Sequence, residues 1–378
     1  NHTTLVTGVE PRKHGVLFNG LLVRQGDGKP PKIEQWVDKT RLVFAPTLYD
    51  IAHENGLTTA ESDWVAVTKA KTIDWSFAEL PALEGAVEKE MIEAGVIKPQ
   101  DIEWMQLGPK RKGVTFLDNM WTKAAIHIFK THKPNLLMYH TLNTDSTHHT
   151  YGPGSSASFT ALAYADRLVG DLVKAVEESG LSDRTTFIIA TDHGFKKVTK
   201  TILPNVALKK AGLAQGIGPS ISTCDAYAMT QGGMAFAYVT NPARKAELLP
   251  KLKEMFTQME GVDRVIDGTE GHTLGMPTPE ENAGMGDLIL YPKAGYVFKN
   301  DAGGDAVVTP SLNYGGTHGY LNSDPELDGI FIASGRGIKK GVVLDRMANL
   351  DVAPTMARLM DLKLPQTDGR VLEEILAP

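Results

Sequence analysis

Two strand-like runs and the helix between them decide the fold of this chain. Residues 133–153 read KPNLLMYHTLNTDSTHHTYGP and residues 185–195 read TTFIIATDHGF, so short apolar runs stand at Leu136–Tyr139 and Thr185–Ala190. From Ser156 to Ser179 apolar residues recur every three or four positions, and Gly180 is a typical helix end. The order strand, helix, strand predicts one parallel, right-handed βαβ unit.

The same alternation continues along most of the chain and predicts an α/β fold, a mostly parallel sheet covered by helices. Residues 1–195 and 318–378 are predicted to form this core, with further elements at Thr47–Asn55 (helix), Ile330–Ala333 (strand) and Asp351–Met360 (helix). Residues 196–317 are predicted to form a smaller inserted α+β subdomain. Its expected elements are three strands and a helix that Pro250 should kink or split: Ala235–Val239, Val262–Ile266, Leu288–Tyr291 and Asn241–Met259.

Composition narrows the class of protein. The chain has 378 residues, of which 42% are hydrophobic and 22% charged, and this composition is typical of a globular protein. Its formal charge of −6 argues against a nucleic-acid coat, which needs a basic surface. The single cysteine, Cys224, excludes an intrachain disulfide and a cysteine-rich zinc site. No apolar run in the sequence is long enough to predict a membrane span.

Histidine and aspartate residues fall where strands are predicted to end. Asp145 and His149 follow the first strand, Asp192 and His193 follow the second, and His318 precedes a third. Because the carboxyl ends of parallel strands share one edge of a sheet, we expect the first two clusters to meet there, and the long insertion can bring His318 to the same edge. Imidazole and carboxylate ligands without thiolate suit Zn²⁺ best, and Mn²⁺ or Fe²⁺ less well. Two such ions about 3.5–4 Å apart are suited to phosphoryl transfer.

Each of these elements also has a more ordinary interpretation when it is taken alone. Asp192-His193-Gly194 is typical of a turn, the Asp145–His149 pair of a helix surface, and His318 of a loop. His148 is expected beside the site or in solvent. Only the three clusters together favour a metal centre. The remaining histidines form no constellation in the sequence and are expected to be structural or exposed: His53, His127, His132, His140 and His272.

Several blocks in order resemble the nucleotide pyrophosphatase/phosphodiesterase branch of the alkaline phosphatase superfamily. The opening block, Asn1–Asn19, is similar to the stretch that follows the nucleophile in that family. Four later blocks resemble its metal motifs and its closing helix: Asp145–Pro153, Thr191–Gly194, Thr317–Tyr320 and Asn349–Thr355. The resemblance therefore extends over nearly the whole chain, and it implies an alkaline-phosphatase-like fold.

The resemblance also implies a role for each matching residue. Asp145, His149 and His318 would hold one metal, and Asp192 and His193 would contribute to a second. Asn19 would donate a hydrogen bond to a phosphoryl oxygen, although alone it reads as a turn residue. The nucleophilic Thr or Ser, and a further Asp ligand, would lie before Asn1. We therefore expect upstream residues, in which a signal peptide would also lie; a periplasmic or secreted location is favoured.

The implied activity is hydrolysis of a phosphodiester or nucleotide pyrophosphate through a covalent phospho-enzyme, with two divalent metals and a small-molecule substrate. A phosphonate hydrolase, similar to the phosphonoacetate enzymes, and a phosphomonoesterase are the alternatives. A member of another class, which binds metal or ligand without catalysis, would lack the upstream hydroxyl. Trp64 is expected near the substrate, where its ring would stack on a base or line a pocket, unless it is an ordinary core tryptophan.

Overall fold

The computed structural model describes residues 1–108 and 113–378, and within them helices and strands alternate as predicted. The helices are His2–Thr7, Pro11–His14, Lys39–Leu42, Leu48–Glu54, Ala86–Glu93, Pro99–Met105, Val114–His132, Asn143–Tyr151, Ser156–Glu178, Pro204–Lys210, Lys245–Thr257 and Val352–Leu359. The strands of the core are β1 (Leu21–Val23), β2 (Lys32–Glu34), β3 (Thr59–Ser62), β4 (Trp75–Phe77), β5 (Leu136–Tyr139), β6 (Thr186–Ala190) and β17 (Phe331–Gly335). The α/β class is thereby confirmed.

A parallel ladder in the order β4-β3-β5 forms one part of the core. In its register Ser62 lies opposite Tyr139, so β3 and β5 end side by side. The ladder packs against the helix Val114–His132 through a buried cluster that includes Phe77, Met105 and Trp121. These residues are almost fully removed from water, and their burial is the main favourable contribution to stability here.

The elements of the predicted βαβ unit are confirmed, whereas its parallel arrangement in one sheet stays a prediction. Both strands and the connecting helix, Ser156–Glu178, form where the sequence predicts them. However, β5 pairs with β3, and β6 pairs antiparallel with β17, so no ladder among the described residues joins β5 to β6. Apolar periodicity specifies that a strand forms, but the neighbour with which it pairs depends on contacts between distant segments.

Residues 196–317 contain the other strands of the described residues, and the ladders found there join these strands with one another. They are β7 (Lys196–Ile202), β8 (Ala214–Gln215), β9 (Thr223–Cys224), β10 (Ala226–Thr230), β11 (Ala235–Val239), β12 (Val262–Asp267), β13 (Leu288–Pro292), β14 (Gly295–Phe298), β15 (Val308–Pro310) and β16 (Gly316–Thr317). Strands β10-β11-β13-β12 form an antiparallel sheet, and β7 pairs with β14, β15 and β16. The three predicted strands are confirmed, whereas the division of the chain into core and insertion stays a prediction.

The helix Lys245–Thr257 runs through Pro250 without the predicted split. A proline in this position removes one backbone hydrogen bond and disfavours the helix. Leu248, Leu252 and Phe256 lie on the buried face of the helix and pack into the core of this region. Their burial offsets the lost hydrogen bond, so the helix continues for about two further turns.

The first helix, His2–Thr7, is fixed against the last one, Val352–Leu359. Gly8 ends the first helix with φ 67°, and a Cβ at this position would lie 2.9 Å from Pro354 Cδ. The close approach and the positive φ both favour glycine. This packing fixes the position of His2. In the part of the chain that the structure describes, no helix is both long enough and apolar enough to cross a membrane.

Candidate metal centre

Asp145 and His149 lie on one face of the helix Asn143–Tyr151, which begins shortly after β5. Residues four positions apart face the same way on a helix, and His149 Nε2 lies 3.5 Å from Asp145 Oδ1. The helix begins where the buried carboxylate of Asp118 accepts hydrogen bonds from the backbone N–H groups of Leu142 (2.8 Å) and Asn143 (3.1 Å). Asp118 therefore holds the end of the helix that carries both predicted ligands.

Asp192 and His193 follow β6 and approach the same helix. His193 Nε2 lies 3.3 Å from Asp192 Oδ2 and 3.8 Å from Asp145 Oδ1. Two side-chain amides, from Asn1 (2.5 Å) and Asn349 (3.2 Å), donate to the backbone carbonyl of Asp192. These two hydrogen bonds fix the backbone that carries both residues.

His318 reaches the centre because β16 passes very close to the helix Asn143–Tyr151. A Cβ at Gly316 would lie 2.6 Å from the carbonyl oxygen of His148, so only glycine fits there. β16 also pairs with β7, where Thr317 lies opposite Lys196, and this pairing brings His318 beside His193. The two rings stack at a centroid distance of 3.6 Å, and His318 Nε2 lies 3.7 Å from Asp145 Oδ1.

The structure thus brings all five predicted ligands into one continuous set of contacts. The tightest group is Asp145, His193 and His318, whose potential ligand atoms all lie within 4.8 Å of one another. This group draws Asp145 and His318 from the first predicted metal set and His193 from the second. The division of the five residues between two metals therefore stays a prediction.

Backbone carbonyl groups set the orientation of two of the imidazoles. His149 Nδ1 lies 3.0 Å from the carbonyl oxygen of Gly316, and His193 Nδ1 lies 3.2 Å from that of Gly194. An N–H on Nδ1 that donates to a carbonyl leaves the lone pair on Nε2. In both residues Nε2 is the atom that approaches Asp145. These are the tautomers that metal coordination through Nε2 requires.

Burial keeps the imidazole of His318 neutral and disfavours the charge on Asp145. Burial, together with the neighbouring His193 and His149, lowers the pKa of His318 well below its ordinary value. Burial also raises the pKa of Asp145 above its ordinary value. A neutral imidazole binds a cation, and a cation would offset the cost of keeping a carboxylate charged here.

Phe195 packs against the imidazoles from one side. Its ring centroid lies 4.9 Å from that of His149 and 5.3 Å from those of His193 and His318. Tyr314 also stacks on His149, with the ring centroids 5.1 Å apart. These aromatic contacts restrict the rotamers of the three histidines and therefore keep them pointing toward Asp145.

The donor set fits a divalent metal ion. Two ligand atoms that each lie about 2.0–2.2 Å from one tetrahedral ion are about 3.3–3.6 Å apart. The contacts around Asp145 and Asp192 extend from 3.3 to 3.8 Å, close to this spacing. A mixed set of imidazole and carboxylate, with outer contacts that already orient the rings, can hold such an ion with small adjustments.

The other two predicted site residues, Asn19 and Trp64, are placed apart from the five predicted ligands. Asn19 is exposed between Phe18 and Gly20, which form a β-bridge, and the described contacts of the ligand set do not include it. Trp64 is half-buried in a cluster with Val6, Tyr49 and Met138, and its ring meets that of His2 edge-on at 5.0 Å. Its indole N–H is buried without an acceptor among the described residues. The predicted roles of both residues stay predictions.

His2 is not among the predicted site residues, and His140 was expected to be structural or exposed. His2 Nδ1 lies 3.5 Å from Asp192 Oδ2, and the His2 ring meets the ring of His140 at 4.6 Å. His140 Nδ1 in turn lies 2.8 Å from Asp63 Oδ2. A signal was present, because His140 directly follows the Leu136–Tyr139 strand, and strand ends were the criterion that selected Asp192. Only the tertiary structure brings Asp63 and His2 to the same place.

Comparisons of the sequence with known proteins identify related proteins. Residues 1–321 match the family model described as type I phosphodiesterase/nucleotide pyrophosphatase. A venom phosphodiesterase of Macrovipera lebetinus is 23% identical, over 98% of this chain and 38% of that protein. Human ectonucleotide pyrophosphatase/phosphodiesterase family member 7 is 25% identical, over 60% of this chain and 45% of that protein. The chain thus spans less than half the length of these curated relatives.

The fold is also that of solved structures. An inactive variant of murine ectonucleotide pyrophosphatase/phosphodiesterase 5, in complex with AMP, superposes with a TM-score of 0.70 at 16% sequence identity. The match covers 100% of this chain and 87% of that one. At this identity the likeness shows a shared fold, and it places the described core within an established architecture.

Proposed function

This chain belongs to the type I phosphodiesterase/nucleotide pyrophosphatase family, and we propose that it hydrolyses phosphodiesters or nucleotide pyrophosphates with bound divalent metal. One observation carries this proposal: three imidazoles converge on a single carboxylate oxygen, Asp145 Oδ1, at 3.5, 3.7 and 3.8 Å. Such a set has little reason to form around a half-buried carboxylate unless it binds a cation.

The proposed site holds two divalent metals, with Zn²⁺ the best match to the ligands. Asp145, His149 and His318 would hold one ion, and Asp192 and His193 would contribute to the other. When bound, the two ions would activate the attacking oxygen and stabilise the charge on the leaving oxygen. The residues of this chain would hold the ions and orient the ligands. Phe195 and the backbone carbonyl groups of Gly316 and Gly194 keep the imidazole rings in place.

The nucleophile of the proposed reaction is the hydroxyl that the resemblance assigns to a Thr or Ser before Asn1. This hydroxyl oxygen would attack phosphorus and release the alcohol, and water would then hydrolyse the resulting phosphate ester. The hydrogen bond from Asn1 Nδ2 to the carbonyl of Asp192 supports this proposal, because a residue that precedes Asn1 would adjoin the ligand set. Asn19 is the proposed donor to a phosphoryl oxygen.

A diester or a nucleotide pyrophosphate is the preferred substrate class. The proposed donor, Asn19, is a neutral amide, which favours a phosphoryl group of single charge over a doubly charged monoester. The AMP complex of the murine neighbour supports a nucleotide as the substrate. Phosphonate hydrolysis and monoester hydrolysis are the alternatives within this chemistry, and metal or ligand binding without catalysis is the alternative outside it.

A substrate panel tests the proposal. The full protein, loaded with zinc, is assayed with bis(p-nitrophenyl) phosphate, p-nitrophenyl phosphate and phosphonoacetate, each with and without chelator. We expect the highest kcat/KM for the diester and loss of activity with chelator. A preference for the monoester or the phosphonate would reassign the substrate class. If the zinc-loaded protein hydrolyses none of the three substrates, the result favours the alternative of metal or ligand binding without catalysis.

A further inference from the structure

A buried aspartate–histidine pair stands beside the metal centre. Asp63 directly follows β3 and His140 directly follows β5, and these strands end opposite each other in the parallel ladder. His140 Nδ1 donates to Asp63 Oδ2 at 2.8 Å. The side chain of Asp63 is 5% exposed, and its backbone has a φ of 61°, a left-handed conformation that aspartate tolerates better than most residues.

The pair is in contact with the metal centre through His2. The ring of His140 meets the ring of His2 at 4.6 Å with an interplanar angle of 85°. Trp64 packs edge-on against His2 from another direction, with the ring centroids 5.0 Å apart. His2 is thus confined by two aromatic neighbours, and its Nδ1 lies 3.5 Å from Asp192 Oδ2.

Asp192 needs such a partner because little else orients its carboxylate. The two asparagine amides bind its backbone carbonyl and leave the side chain free to rotate. The described contacts of the side chain are with His193 and His2, and both approach the same oxygen, Oδ2. Of the two ring nitrogens of His2, Nδ1 is the one that faces Asp192, and a neutral imidazole can carry its N–H there. That N–H, on Nδ1, can hold one oxygen of the carboxylate.

We propose that Asp63 and His140 form a positioning pair that holds His2 against Asp192 and thereby orients this carboxylate toward a bound metal. The proposal rests on the function proposed above and extends it to residues outside the ligand set. Outer partners of this kind fix the direction of a ligand's lone pairs, and their loss lowers metal affinity by about 10–100-fold. The role is indirect, because two residues, His140 and His2, lie between Asp63 and Asp192 in this series of contacts.

The test measures zinc affinity, which does not require a substrate. Asp63→Asn keeps the shape of the side chain but removes its charge and one acceptor oxygen. We expect it to weaken zinc binding by about 10–100-fold in a competition titration of the full protein. The matched control is Glu90→Gln, which breaks a similar carboxylate–imidazole contact, Glu90 Oε2 to His132 Nε2 at 2.7 Å, in another part of the core. This control should bind zinc as the parent does.

A double-mutant cycle separates positioning from general structural support. His2→Phe keeps a ring between Trp64 and His140 but removes the N–H that faces Asp192, so it should lower zinc affinity by a similar factor. If Asp63 acts through His2, adding Asp63→Asn to His2→Phe causes no further loss. Additive losses, or parent-like zinc affinity in Asp63→Asn, would overturn the proposal.

Two other outcomes are also decisive. If Asp63→Asn does not fold, as judged by circular dichroism, His2→Phe alone decides, because parent-like zinc affinity in that variant contradicts the proposal. If the parent protein binds no zinc, the proposed function fails, and this inference fails with it. If the parent binds zinc and hydrolyses the diester while the cycle shows additive losses, only this inference fails.

Discussion

At the scale of single residues, Asp145 organises the proposed metal centre. One of its oxygens is approached by three imidazole nitrogens that come from three separate segments of the chain. Burial raises its pKa, so in the absence of a cation the charged form is disfavoured. Its surroundings therefore favour occupation by a positive ion, and imidazoles, unlike lysine or arginine side chains, can share the binding of such an ion.

Two substitutions distinguish metal binding from the stabilisation of charge on the substrate. His318→Ala should weaken zinc binding, with activity partly restored by excess Zn²⁺, because it removes a proposed ligand. Asn19→Ala should leave zinc content unchanged and lower kcat about 10²–10³-fold, as the loss of other oxyanion donors does. Zinc content and kcat are measured for both variants. Zinc loss in Asn19→Ala, or full occupancy of His318→Ala at limiting zinc, would contradict these roles.

A second residue-scale prediction concerns Glu61, which is fully buried in β3. Burial raises its pKa to about 7, although Ser76 and the backbone N–H of Trp64 donate hydrogen bonds to it. Because the ordinary value is 4.5, the folded protein retains this proton over a range in which the unfolded chain has lost it. The ionised carboxylate therefore costs stability as the pH rises from about 4.5 through 7.

Replacing Glu61 with glutamine removes this dependence. The free energy of unfolding of Glu61→Gln minus that of the parent should be larger at pH 8 than at pH 5, by up to about 3 kcal/mol. Urea denaturation at the two pH values measures the change. Glu93→Gln, an exposed position on the helix Ala86–Glu93, is the control and should show no such gain. If the free energy of unfolding of Glu61→Gln differs from that of the parent by the same amount at both pH values, the raised pKa assigned to Glu61 is wrong.

At the scale of elements, the helix Asn143–Tyr151 depends on a neighbour for its start. Asp118, on the helix Val114–His132, is fully buried and accepts hydrogen bonds from the first backbone N–H groups of the Asn143–Tyr151 helix. A carboxylate at a helix N-terminus satisfies groups that have no partner within the helix and interacts favourably with its dipole. One helix thereby fixes the start of another that carries two predicted ligands.

We expect Asp118→Ala to reduce both stability and metal affinity. Two buried N–H groups lose their acceptor, which should cost about 1–3 kcal/mol in the free energy of unfolding. The helix start would shift, so Asp145 and His149 should bind zinc more weakly. Asp171→Ala, which breaks an exposed ion pair with Arg167, is the control and should cost about 0–1 kcal/mol. If Asp118→Ala is no more destabilising than this control, the capping role is wrong.

At the scale of the whole molecule, the proposed metal centre connects segments that are far apart in sequence. His2, the helix Asn143–Tyr151, the turn at Asp192 and the loop at His318 belong to different parts of the chain and meet only in the folded state. An ion bound there would join them, so it would bind the folded state and not the unfolded one. Metal binding should therefore raise the free energy of unfolding of the whole chain.

Removal of metal should lower the melting temperature of the protein. An ion present at 100 times its dissociation constant adds about 2.7 kcal/mol, which corresponds to a shift of several degrees. Calorimetry with chelator and after readdition of Zn²⁺ measures the shift. His318→Ala should show a smaller shift than the parent, whereas His272→Ala, an exposed histidine in another region, should show the full one. An identical melting temperature with and without chelator would contradict the expectation that bound metal stabilises the folded protein.

The sequence by itself determined the elements and the identities of the proposed ligands. Apolar periodicity located β5, β6 and the helix between them, because it reflects the local requirement to bury one face of each element. Residue chemistry at predicted strand ends selected Asp145, His149, Asp192 and His193, because a carboxyl edge of the fold collects such side chains. His318, which precedes a predicted strand, was selected because its residue type matches the other ligands and because the resemblance includes its motif. Both inferences depend on short segments of the chain.

Only the tertiary structure decided which elements pair and which additional residues join the centre. β5 and β6 belong to different ladders, because pairing depends on packing between distant segments. His2, His140 and Asp63 come together across more than sixty positions of sequence, and no local pattern connects them. The position of an imidazole relative to a carboxylate is set by the packing of whole elements. This packing depends on many residues from distant segments together, and no short stretch of sequence specifies it.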